Sequence, residues 1–290
     1  MTTSRAPFPL APSELDALVR AALTEDRAEA DITTSLLVPP EQHGVAVLLA
    51  KADGVLAGLP VARATFFALD PSLAWLAHRE DGDRIAAGDE IALVEGRLAS
   101  TLSAERVALN FLQHLSGVAT ATAAVVERLA GTGCRLRDTR KTLPGLRALQ
   151  KYAVLMGGGT NHRLDLADGV LVKDNHLAAL RARELDIPDA VRMVAGAGKG
   201  GLVEIEVTNR EEAASALDAG ARELLLDNMS PEEMREIVEL ARGRSVLEAS
   251  GGITLENVRA VAESGVDYVS MGALTHSVKA LDISLEVSAV

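Results

Sequence analysis

The sequence is poor in cysteine and in aromatic residues. Cys134 is the only cysteine among 290 residues, and Phe, Trp and Tyr together make up 2%. A single cysteine excludes an intrachain disulfide and a thiolate metal cage. The core must therefore be built from Ala, Val, Leu and Ile, in keeping with 48% hydrophobic and 24% charged residues. This composition is typical of an ordinary globular protein.

Long apolar runs and widespread positive charge are also missing. No apolar run approaches the roughly 20 residues that cross a membrane, so we expect no membrane partner. The formal net charge of −12 disfavours a nucleic-acid partner, because such proteins carry positive charge across their binding surface. The first residues, Met1 to Pro7, form no hydrophobic signal region, and a cytoplasmic location is therefore the expectation.

One segment of this acidic chain is cationic. Between Cys134 and His176 there are eight Arg or Lys residues but only four Asp. A local excess of positive charge indicates a local anionic ligand. Arginine can bind a carboxylate or phosphate through two hydrogen bonds, whereas lysine acts as a compact point charge. The same segment contains Gly157-Gly158-Gly159, which allows a tight turn or a close approach to a ligand.

The second half of the chain has a regular period. Glu206, Asp227, Glu248 and Val269 are each 21 residues apart, and each lies in or after an apolar segment. This spacing fits one strand, one helix and two short loops. The predicted strands lie at 170–174, 202–206, 224–228, 246–252 and 268–272. Repeated units of this kind predict a parallel sheet that can close into a barrel, complete or incomplete.

Local signals mark the helices between these strands. Ser230-Pro231-Glu-Glu places an N-cap, a first-turn proline and carboxylates in the order that begins a helix. Asn209 and Thr254 precede two further helices, and Gly220 and Gly265 lie where helices should end.

The first part of the chain has a different pattern. Residues 12–24 predict an amphipathic helix with Ser13 as N-cap. Residues 44–95 predict short strands, and residues 104–129 predict a long helical stretch interrupted at Ser116-Gly117. We place a domain boundary near that glycine. The expected organisation is an N-terminal α/β sandwich at 1–116, an α/β barrel at 117–275, and a tail at 276–290 that returns to the N-terminal domain.

Polar residues follow four of the predicted barrel strands: Lys173, Glu206, Asp227 and Ser250-Gly251-Gly252. In parallel barrels such strand ends face the active site. Glu206 and Asp227 would suit Mg²⁺ or sugar hydroxyls, or they could balance the charges of Lys141 and Lys173. Lys173 could also be a Schiff-base nucleophile, but the surrounding arginines exceed what a small aldehyde needs. His162 and His176 are candidate acids or ligand donors, whereas His43, His78 and His114 are expected to be structural or on the surface.

Ten blocks of the sequence carry a family resemblance. They are Glu105-Arg106-Val-Ala-Leu-Asn110, Leu115-Ser-Gly-Val-Ala-Thr120, Asp138-Thr-Arg-Lys-Thr142, Pro144-Gly-Leu-Arg147, Gly157-Gly-Gly-x-Asn-His-Arg163, Lys173-Asp-Asn-His176, Glu204-x-Glu206, Leu226-Asp-Asn228, Ser250-Gly-Gly252 and Gly272-Ala-Leu-Thr-His-Ser277. In this order, from about Glu25 to the C-terminus, the chain resembles the quinolinate phosphoribosyltransferases, also called nicotinate-nucleotide pyrophosphorylases (carboxylating). It departs from the pattern at Leu143, where the family commonly has a second threonine.

The resemblance implies a type II phosphoribosyltransferase fold and a specific reaction. Quinolinate and 5-phosphoribosyl 1-pyrophosphate would give nicotinate mononucleotide, CO₂ and pyrophosphate, with Mg²⁺, in de novo NAD synthesis. The resemblance also implies a homodimer, with or without further assembly, in which the N-terminal domain of one subunit covers the mouth of its partner's barrel.

Roles for individual residues are implied in the same way. Arg106 would reach the neighbouring subunit's site and, with Arg140, His162 and Arg163, hold the two carboxylates of quinolinate. Thr139 belongs to the same substrate-binding motif. Lys141 and Lys173 would face the pyrophosphate and the developing charges.

The remaining implied contacts concern the sugar and its phosphates. Glu206 and Asp227 would hold the ribose hydroxyls and the Mg²⁺ of the metal-bound diphosphate; with Lys141 and Lys173 they form the implied catalytic set. Backbone groups of Ser250-Gly251-Gly252 and Gly272-Ala273 would take the 5′-phosphate.

Two other functions remain open at this point. One is a related phosphoribosyltransferase that uses nicotinate or another small acid without decarboxylation. A monoacid would, however, leave part of the set of Arg106, Arg140, His162 and Arg163 without a partner. The other is a non-catalytic barrel that senses a phosphorylated metabolite.

Overall fold

The computed structural model describes residues 6–196 and 203–289. Two compact units divide the chain. The first contains the described residues of Met1–Ala123, Leu143–Gly158 and Ser277–Val290, and the second contains those of Ala124–Thr142 and Gly159–His276. The domain limits expected from the sequence stay a prediction. Within the described ranges, no helix has both the length and the apolar content that a membrane crossing requires.

Helices and strands account for most of both units. The helices are α1 Pro12–Asp26, α2 Ile32–Leu37, α3 Leu59–Leu69, α4 Leu98–Leu129, α5 Arg147–Met156, α6 Asp174–Arg181, α7 Ile187–Gly196, α8 Arg210–Asp218, α9 Pro231–Ala241, α10 Val258–Ala262 and α11 Ala273–His276, with a 3-10 helix at Ala28–Ala30. The strands are β1 His43–Ala50, β2 Gly54–Val55, β3 Ala74–Ala77, β4 Arg84–Ile85, β5 Glu90–Arg97, β6 Arg135–Arg137, β7 Val170–Val172, β8 Val203–Val207, β9 Glu223–Asp227, β10 Val246–Ser250, β11 Tyr268–Ser270 and β12 Ile283–Ala289.

The first unit is built on an antiparallel sheet with the strand order β12-β1-β5-β3. β1 alternates between buried and partly exposed residues along most of its length, as a strand with one covered face must. Its buried residues join a core with Phe66 of α3 and with Leu109 and Leu112 of α4. The last strand of the chain, β12, pairs with β1 over seven residues.

Helix α1 begins one residue earlier than its predicted cap. Ala11, not Ser13, is the N-cap, and Pro12 occupies the first turn. The Ala11 N–H donates to the Glu14 carboxylate at 2.9 Å. The predicted cap was wrong because proline's fixed φ already suits the first helical position, and Glu14 supplies the acceptor.

Helix α4 is continuous from Leu98 to Leu129, so the predicted interruption at Ser116-Gly117 is wrong. A Cβ on Gly117 would lie 2.4 Å from the carbonyl oxygen of Lys279. Gly117 therefore permits close packing of the C-terminal segment, and the helix tolerates its propensity cost of about 1 kcal/mol.

The second unit contains a parallel sheet of six strands in the order β6-β11-β10-β9-β8-β7. Thr160 adds an isolated parallel bridge to Arg137 on β6. No pairing joins β7 to the β6 end of the sheet among the described residues. The architecture confirms the predicted α/β class, with the incomplete form of the parallel barrel.

Local signals predicted most of the elements of the second unit. Ser230 caps α9 in a reciprocal capping box with Glu233, Asn209 caps α8, and Gly220 and Gly265 adopt the positive φ angles expected after α8 and α10. All five predicted strands are present. The predicted start of one of them, Leu202, lies outside the described residues, and β8 begins at Val203 in the described part of the chain.

The strand register differs from the 21-residue period. Glu206 pairs with Leu225, and Leu225 pairs with Glu248, while Asp227 pairs with Ser250. Asp227 therefore lies one side-chain repeat further along the sheet than Glu206, because alternate residues of a strand share a face. The 21-residue spacing located the strand ends, but it did not show that Asp227 lies further along the sheet than Glu206.

Candidate active site

A cavity of about 490 Å³ lies at the carboxyl ends of the parallel strands, as expected for an α/β barrel. Its lining comes entirely from the second unit. The residues are Asp138, Thr139, Arg140, Lys141, His162, Arg163, Leu171, Lys173, Asp174, Asn175, Glu206, Leu225, Asp227, Asn228, Glu248, Ser250, Gly251, Gly252 and Ser270. Eleven of the fourteen predicted site residues are among them; Arg106, Gly272 and Ala273 are not.

The cationic lining is held by the loops that follow β6 and β7 and by the segment between Thr160 and β7. Arg163 is 9% exposed and donates to the carbonyl oxygen of Gly169 at 3.2 Å. Burial, together with the charge of Arg140, lowers the pKa of Arg163. Arg140 and Arg163 therefore repel each other, and an anionic ligand would relieve this repulsion.

Two threonine hydroxyls fix the backbone around Lys141. The N–H of Lys141 donates to Thr139 Oγ1 at 3.0 Å, and Thr275 Oγ1 donates to the Lys141 carbonyl oxygen at 2.8 Å. Thr139 thus has a structural function in the site in addition to the binding role predicted for it. The side chain of Lys141 stays exposed at the rim.

Asp138 organises the loop that carries His162 and Arg163. Its carboxylate is fully buried and accepts the backbone N–H of His162 at 2.9 Å and the side-chain N–H of Asn161 at 2.6 Å. A buried carboxylate of this kind needs hydrogen bonds to offset its loss of hydration. The sequence predicted no individual role for Asp138; the structure shows that it positions this loop.

Five carboxylates lie in the lining, and Glu206 and Asp227 are the two that the sequence predicted for the site. Glu206 accepts the backbone N–H of Asp174 at 3.2 Å, and Asp227 accepts the side-chain amide of Asn228 at 2.7 Å. Burial raises the pKa of Glu206; the charge of Asp227 raises it further and that of Lys173 lowers it. The two carboxylates are therefore electrostatically coupled to each other and to a cavity lysine.

This acidic pair fits a hard divalent cation. Carboxylate oxygens are the ligands that Mg²⁺ prefers, usually one or two of them together with substrate phosphates. Asp227 Oδ2 already accepts from Asn228, while its coupling to Glu206 would be relieved by a positive ion. Glu206 and Asp227 could thus hold Mg²⁺ together with the oxygens of a ligand.

A glycine turn closes the end of β10. Gly251 and Gly252 have φ angles of +84° and +60°, and a Cβ on Gly251 would lie 2.3 Å from Asn228 Oδ1. Only glycine adopts such a conformation with its neighbour so close. The turn leaves backbone groups facing the cavity, an arrangement that suits a phosphate.

Three predicted site residues lie apart from the cavity lining. Gly272 lies next to Lys141, since a Cβ on Gly272 would lie 2.8 Å from Lys141 Cδ, and Ala273 begins α11. Arg106 belongs to the first unit, on α4, where its side chain is 59% exposed and 3.5 Å from Glu105. The contributions predicted for Arg106 and for the Gly272-Ala273 backbone stay predictions.

Two features of the cationic segment serve the fold. A Cβ on Gly157 would lie 2.4 Å from the Ala119 carbonyl oxygen, and Gly158 has a φ of +87°. These glycines therefore allow close packing and a turn in the first unit. His176 Nδ1 accepts the backbone N–H of Lys173 at 2.9 Å and so caps α6.

Three further histidines, His43, His78 and His114, are not among the cavity-lining residues. His43 and His78 are exposed, and His114 lies 2.8 Å from the side-chain nitrogen of Gln150. Burial lowers the pKa of His114. The structural or surface role predicted for all three is confirmed.

A buried charged cluster, consisting of Arg137, His162, Glu204, Glu223 and Glu248, adjoins the cavity. His162 Nε2 lies 2.9 Å from Glu204 Oε2, and Arg137 Nη1 donates to Glu248 Oε2 at 2.6 Å and also to Glu223. Glu204 and Glu248 are fully buried. Burial raises the pKa of Glu204 to about 8 and that of Glu248 to about 7.

Sequence reasoning missed this cluster, although one signal was present. Glu204 and Glu206 are two residues apart on β8, so their side chains leave the same face of the sheet. Had that alternation been applied, Glu204 would have been placed beneath Glu206. Glu248 was used to mark the 21-residue period but was given no role.

Comparison with known proteins agrees with this geometry. The family profile "Quinolinate phosphoribosyl transferase, N-terminal domain" matches residues 31–116, and the profile for the C-terminal domain of the same family matches residues 118–286. The chain is 41% identical over 275 residues to the probable nicotinate-nucleotide pyrophosphorylase [carboxylating] of Bacillus subtilis (strain 168), covering 95% of this chain and 94% of that protein.

Two further relatives extend the comparison. The chain is 42% identical over 278 residues to nicotinate-nucleotide pyrophosphorylase [carboxylating] of Mycobacterium leprae (strain TN), covering 93% of this chain and 95% of that one. The crystal structure of NadC from Streptococcus pyogenes superimposes with a TM-score of 0.91 at 40% identity, covering 97% of this chain and 99% of that one. Because both domain profiles match and these relatives cover almost the whole chain, the protein belongs to the quinolinate phosphoribosyltransferase family.

Proposed function

We propose that this chain transfers the phosphoribosyl group of 5-phosphoribosyl 1-pyrophosphate to quinolinate, and that decarboxylation then gives nicotinate mononucleotide, CO₂ and pyrophosphate in de novo NAD synthesis. One observation carries the proposal: a single cavity is lined by four cations, Arg140, Lys141, Arg163 and Lys173, and by five carboxylates that include the neighbouring strand-end pair Glu206 and Asp227. Such a cavity suits two polyanionic substrates, one of which also offers hydroxyl groups.

The cations divide between the two substrates. Arg140 and Arg163 have the planar donor geometry that binds carboxylates through paired hydrogen bonds, and they would hold quinolinate. Lys141 and Lys173 would neutralise the leaving pyrophosphate. Backbone groups of Ser250-Gly251-Gly252 would bind the 5′-phosphate, with the Gly272-Ala273 backbone as the second contact suggested by the sequence.

The acidic pair suits the transition state at C1′. As the bond between C1′ and pyrophosphate breaks, positive charge develops on the ribose, and Glu206 and Asp227 would stabilise it electrostatically. Their contacts to the ribose hydroxyls would fix the sugar for attack by the quinolinate ring nitrogen, since orientation alone supplies several kcal/mol.

Loss of CO₂ follows from the product of that attack. The ring nitrogen gives its electron pair to C1′ and becomes a positively charged pyridinium. The bond between ring C2 and its carboxylate then breaks, the electron pair stays on C2 next to the positive nitrogen, and C2 takes up a proton. The protein would hold the 2-carboxylate in place. When that group leaves as CO₂, the electron pair left on C2 neutralises the pyridinium charge.

Mg²⁺ is the metal that we propose for the site. Glu206 and Asp227 would hold it, and it would neutralise diphosphate charge when bound. The coupled carboxylates on neighbouring strands support this assignment.

We also propose a homodimer in which Arg106 completes the partner's site. Three large apolar side chains of α2 are exposed: Ile32 at 73%, Leu36 at 78% and Leu37 at 75%. Such a patch favours a protein partner. Asp31, which caps α2, accepts a hydrogen bond from Ser103 of α4 at 3.0 Å, one helical turn from Arg106. A dimer formed through α2 would therefore bring Arg106 near the other subunit.

The test is an activity assay with two acids. Purified protein is incubated with 5-phosphoribosyl 1-pyrophosphate, Mg²⁺ and either quinolinate or nicotinate, and mononucleotide is quantified. We expect product from quinolinate only. Product from nicotinate only would favour the non-decarboxylating alternative, and binding of the diphosphate without turnover of either acid would favour the sensor.

Two variants distinguish loss of the binding site from loss of the folded structure. Arg140→Ala should abolish turnover of quinolinate without changing the unfolding temperature. Arg192→Ala is the matched control, because Arg192 is an exposed arginine of α7 that pairs with Asp189 at 2.8 Å. Equal activity of the two variants would contradict the proposed carboxylate pocket.

A further inference from the structure

His162 lines the cavity, yet both of its ring nitrogens have partners within the protein. Nδ1 accepts the backbone N–H of Arg163 at 2.7 Å. A ring nitrogen that accepts a backbone N–H carries no proton, so the proton of the neutral ring lies on Nε2. Nε2–H then donates to Glu204 Oε2 at 2.9 Å. These two hydrogen bonds favour one tautomer of the ring.

The acceptor, Glu204, is itself held by burial and by charge. Its side chain is fully buried on β8, and Glu204 Oε1 and Glu248 Oε1 have no hydrogen-bond partner among the described residues. Glu248 Oε1 lies 3.9 Å from His162 Nε2, beyond hydrogen-bond distance. Arg137 holds the other oxygen of Glu248 at 2.6 Å. The buried carboxyl groups of the cluster thus pack against the imidazole.

Arg163, which lines the cavity, lies at the other end of this series of hydrogen bonds. The N–H that His162 accepts belongs to Arg163, whose guanidinium lines the same cavity and donates to Gly169. Asp138 fixes the His162 backbone from the other side. A shift of the imidazole would therefore move the Arg163 backbone, and a 1 Å displacement in a substrate pocket can be costly.

We propose that His162 is a positioning residue, and that buried Glu204 sets its Nε2–H tautomer and so holds Arg163 in place for the acid substrate. Glu204 thereby has a role outside the catalytic set. The kinetic effect of this role rests on the proposed function.

Two substitutions of Glu204 separate hydrogen bonding from packing. Glu204→Gln keeps an acceptor for Nε2–H, whereas Glu204→Leu keeps the volume and removes the acceptor. We expect Glu204→Leu to raise the KM for quinolinate roughly 10- to 100-fold, by analogy with the loss of activity when the hydrogen-bond partner of a metal-ligating histidine is removed. The KM for 5-phosphoribosyl 1-pyrophosphate should change less than about twofold, and Glu204→Gln should restore most of the loss.

The matched control is Glu263→Leu, an exposed glutamate of the same unit that pairs with Arg259 at 2.6 Å. Its kinetic constants should equal those of the wild type. A quinolinate KM in Glu204→Leu within about twofold of the control would overturn the proposal. So would an equal rise in KM for both substrates, because a general loss of structure would produce it.

A second readout is independent of activity. The chain has six histidines, so ¹⁵N-histidine NMR can be assigned with His162→Asn. In the wild type without substrate, we expect His162 Nδ1 to be unprotonated and Nε2 protonated, and this pattern should be lost in Glu204→Leu and kept in Glu204→Gln. A protonated Nδ1 in the wild type would overturn the proposal even if the enzyme turns over quinolinate. The expected pattern in a protein that does not turn over quinolinate would support the positioning role and contradict only the proposed function.

Discussion

Gly272 lies directly against Lys141: a Cβ built on Gly272 would be 2.8 Å from Lys141 Cδ and 3.1 Å from His276 Nε2. Gly272 is not among the cavity-lining residues, so it would affect the site through the lysine. The absence of one methyl group at the end of β11 thus sets where a cation of the candidate site can lie.

The first prediction follows from this contact. Gly272→Ala should displace the Lys141 side chain and lower kcat/KM for 5-phosphoribosyl 1-pyrophosphate by about tenfold or more, as misplacement of charged groups commonly does. Gly196→Ala is the control, because a Cβ at Gly196 meets no atom of the described residues within 4 Å. Steady-state kinetics on both variants would test this, and equal values would show that Lys141 does not depend on Gly272.

The second prediction concerns stability of the first unit. Asp70 is fully buried and accepts hydrogen bonds from Arg97 at 2.8 Å, Ser100 at 3.0 Å and both the backbone and hydroxyl of Ser72. Arg97, followed by the serine hydrogen bonds, holds the pKa of Asp70 well below its usual range. Asp70→Asn should lower the unfolding free energy at neutral pH by about 2 kcal/mol.

The sign of the pH effect can be checked in the same denaturation series. Because the folded-state pKa of Asp70 is depressed, its stabilisation is present above the unfolded pKa of about 4 and is lost as the pH falls below it. The difference between wild type and Asp70→Asn should therefore shrink in acid. A difference that grows on acidification would contradict the assignment.

The third prediction is the opposite pH dependence at Glu248. Burial, reinforced by the charge of Glu204, raises the pKa of Glu248 to about 7, while His162 and Arg137 oppose the shift. The folded protein therefore binds a proton that the unfolded chain has lost above pH about 4.5. The unfolding free energy should fall as the pH rises from about 4.5 to 7, by up to about 1.4 kcal/mol per pH unit.

Urea denaturation across this range can isolate that contribution. In Glu248→Gln the fall should be shallower, since the titrating group is gone. Parallel curves for wild type and variant would mean that Glu248 titrates normally in the folded state.

The fourth prediction tests the proposed shared site. Arg106→Ala and Lys173→Ala should each be inactive alone, but mixing equal amounts should restore up to about a quarter of wild-type activity per site. About half of the randomly formed dimers are mixed, and one of the two sites in each mixed dimer receives both intact residues. The measurement is activity after unfolding and refolding the mixture.

A third substitution provides the control for that experiment. Leu36→Asp places a charge in the exposed apolar patch of α2, which should prevent dimer formation. When both partners also carry Leu36→Asp, sedimentation should show monomers and no recovery of activity. Recovery of activity in monomers, or none in proven mixed dimers, would contradict the shared site.

Local and periodic signals in the sequence predicted a large part of this fold. The Ser230-Pro231 start of α9 depends on neighbouring residues alone, so it could be read directly. Lys173, Glu206 and Asp227 could be placed in one site because carboxyl ends of parallel strands meet at one edge of a sheet. These features need no knowledge of distant contacts.

Features that depend on distant contacts were predicted wrongly or missed. Gly117 was expected to interrupt α4, but its role is set by Lys279, more than 150 residues away in sequence. The Arg137–Glu248 pair joins residues 111 positions apart. Burial of Glu204 likewise depends on packing that the residue type disfavours, since glutamate is rarely buried without a partner.

Among all these tests, isotope release from quinolinate bears most directly on the proposed function. Quinolinate labelled with ¹³C in the 2-carboxyl group, or separately in the 3-carboxyl group, is incubated with 5-phosphoribosyl 1-pyrophosphate and Mg²⁺, and labelled CO₂ and pyrophosphate are quantified. We expect one labelled CO₂ per pyrophosphate from the 2-carboxyl label and none from the 3-carboxyl label. Pyrophosphate release without labelled CO₂ from the 2-carboxyl group would contradict it.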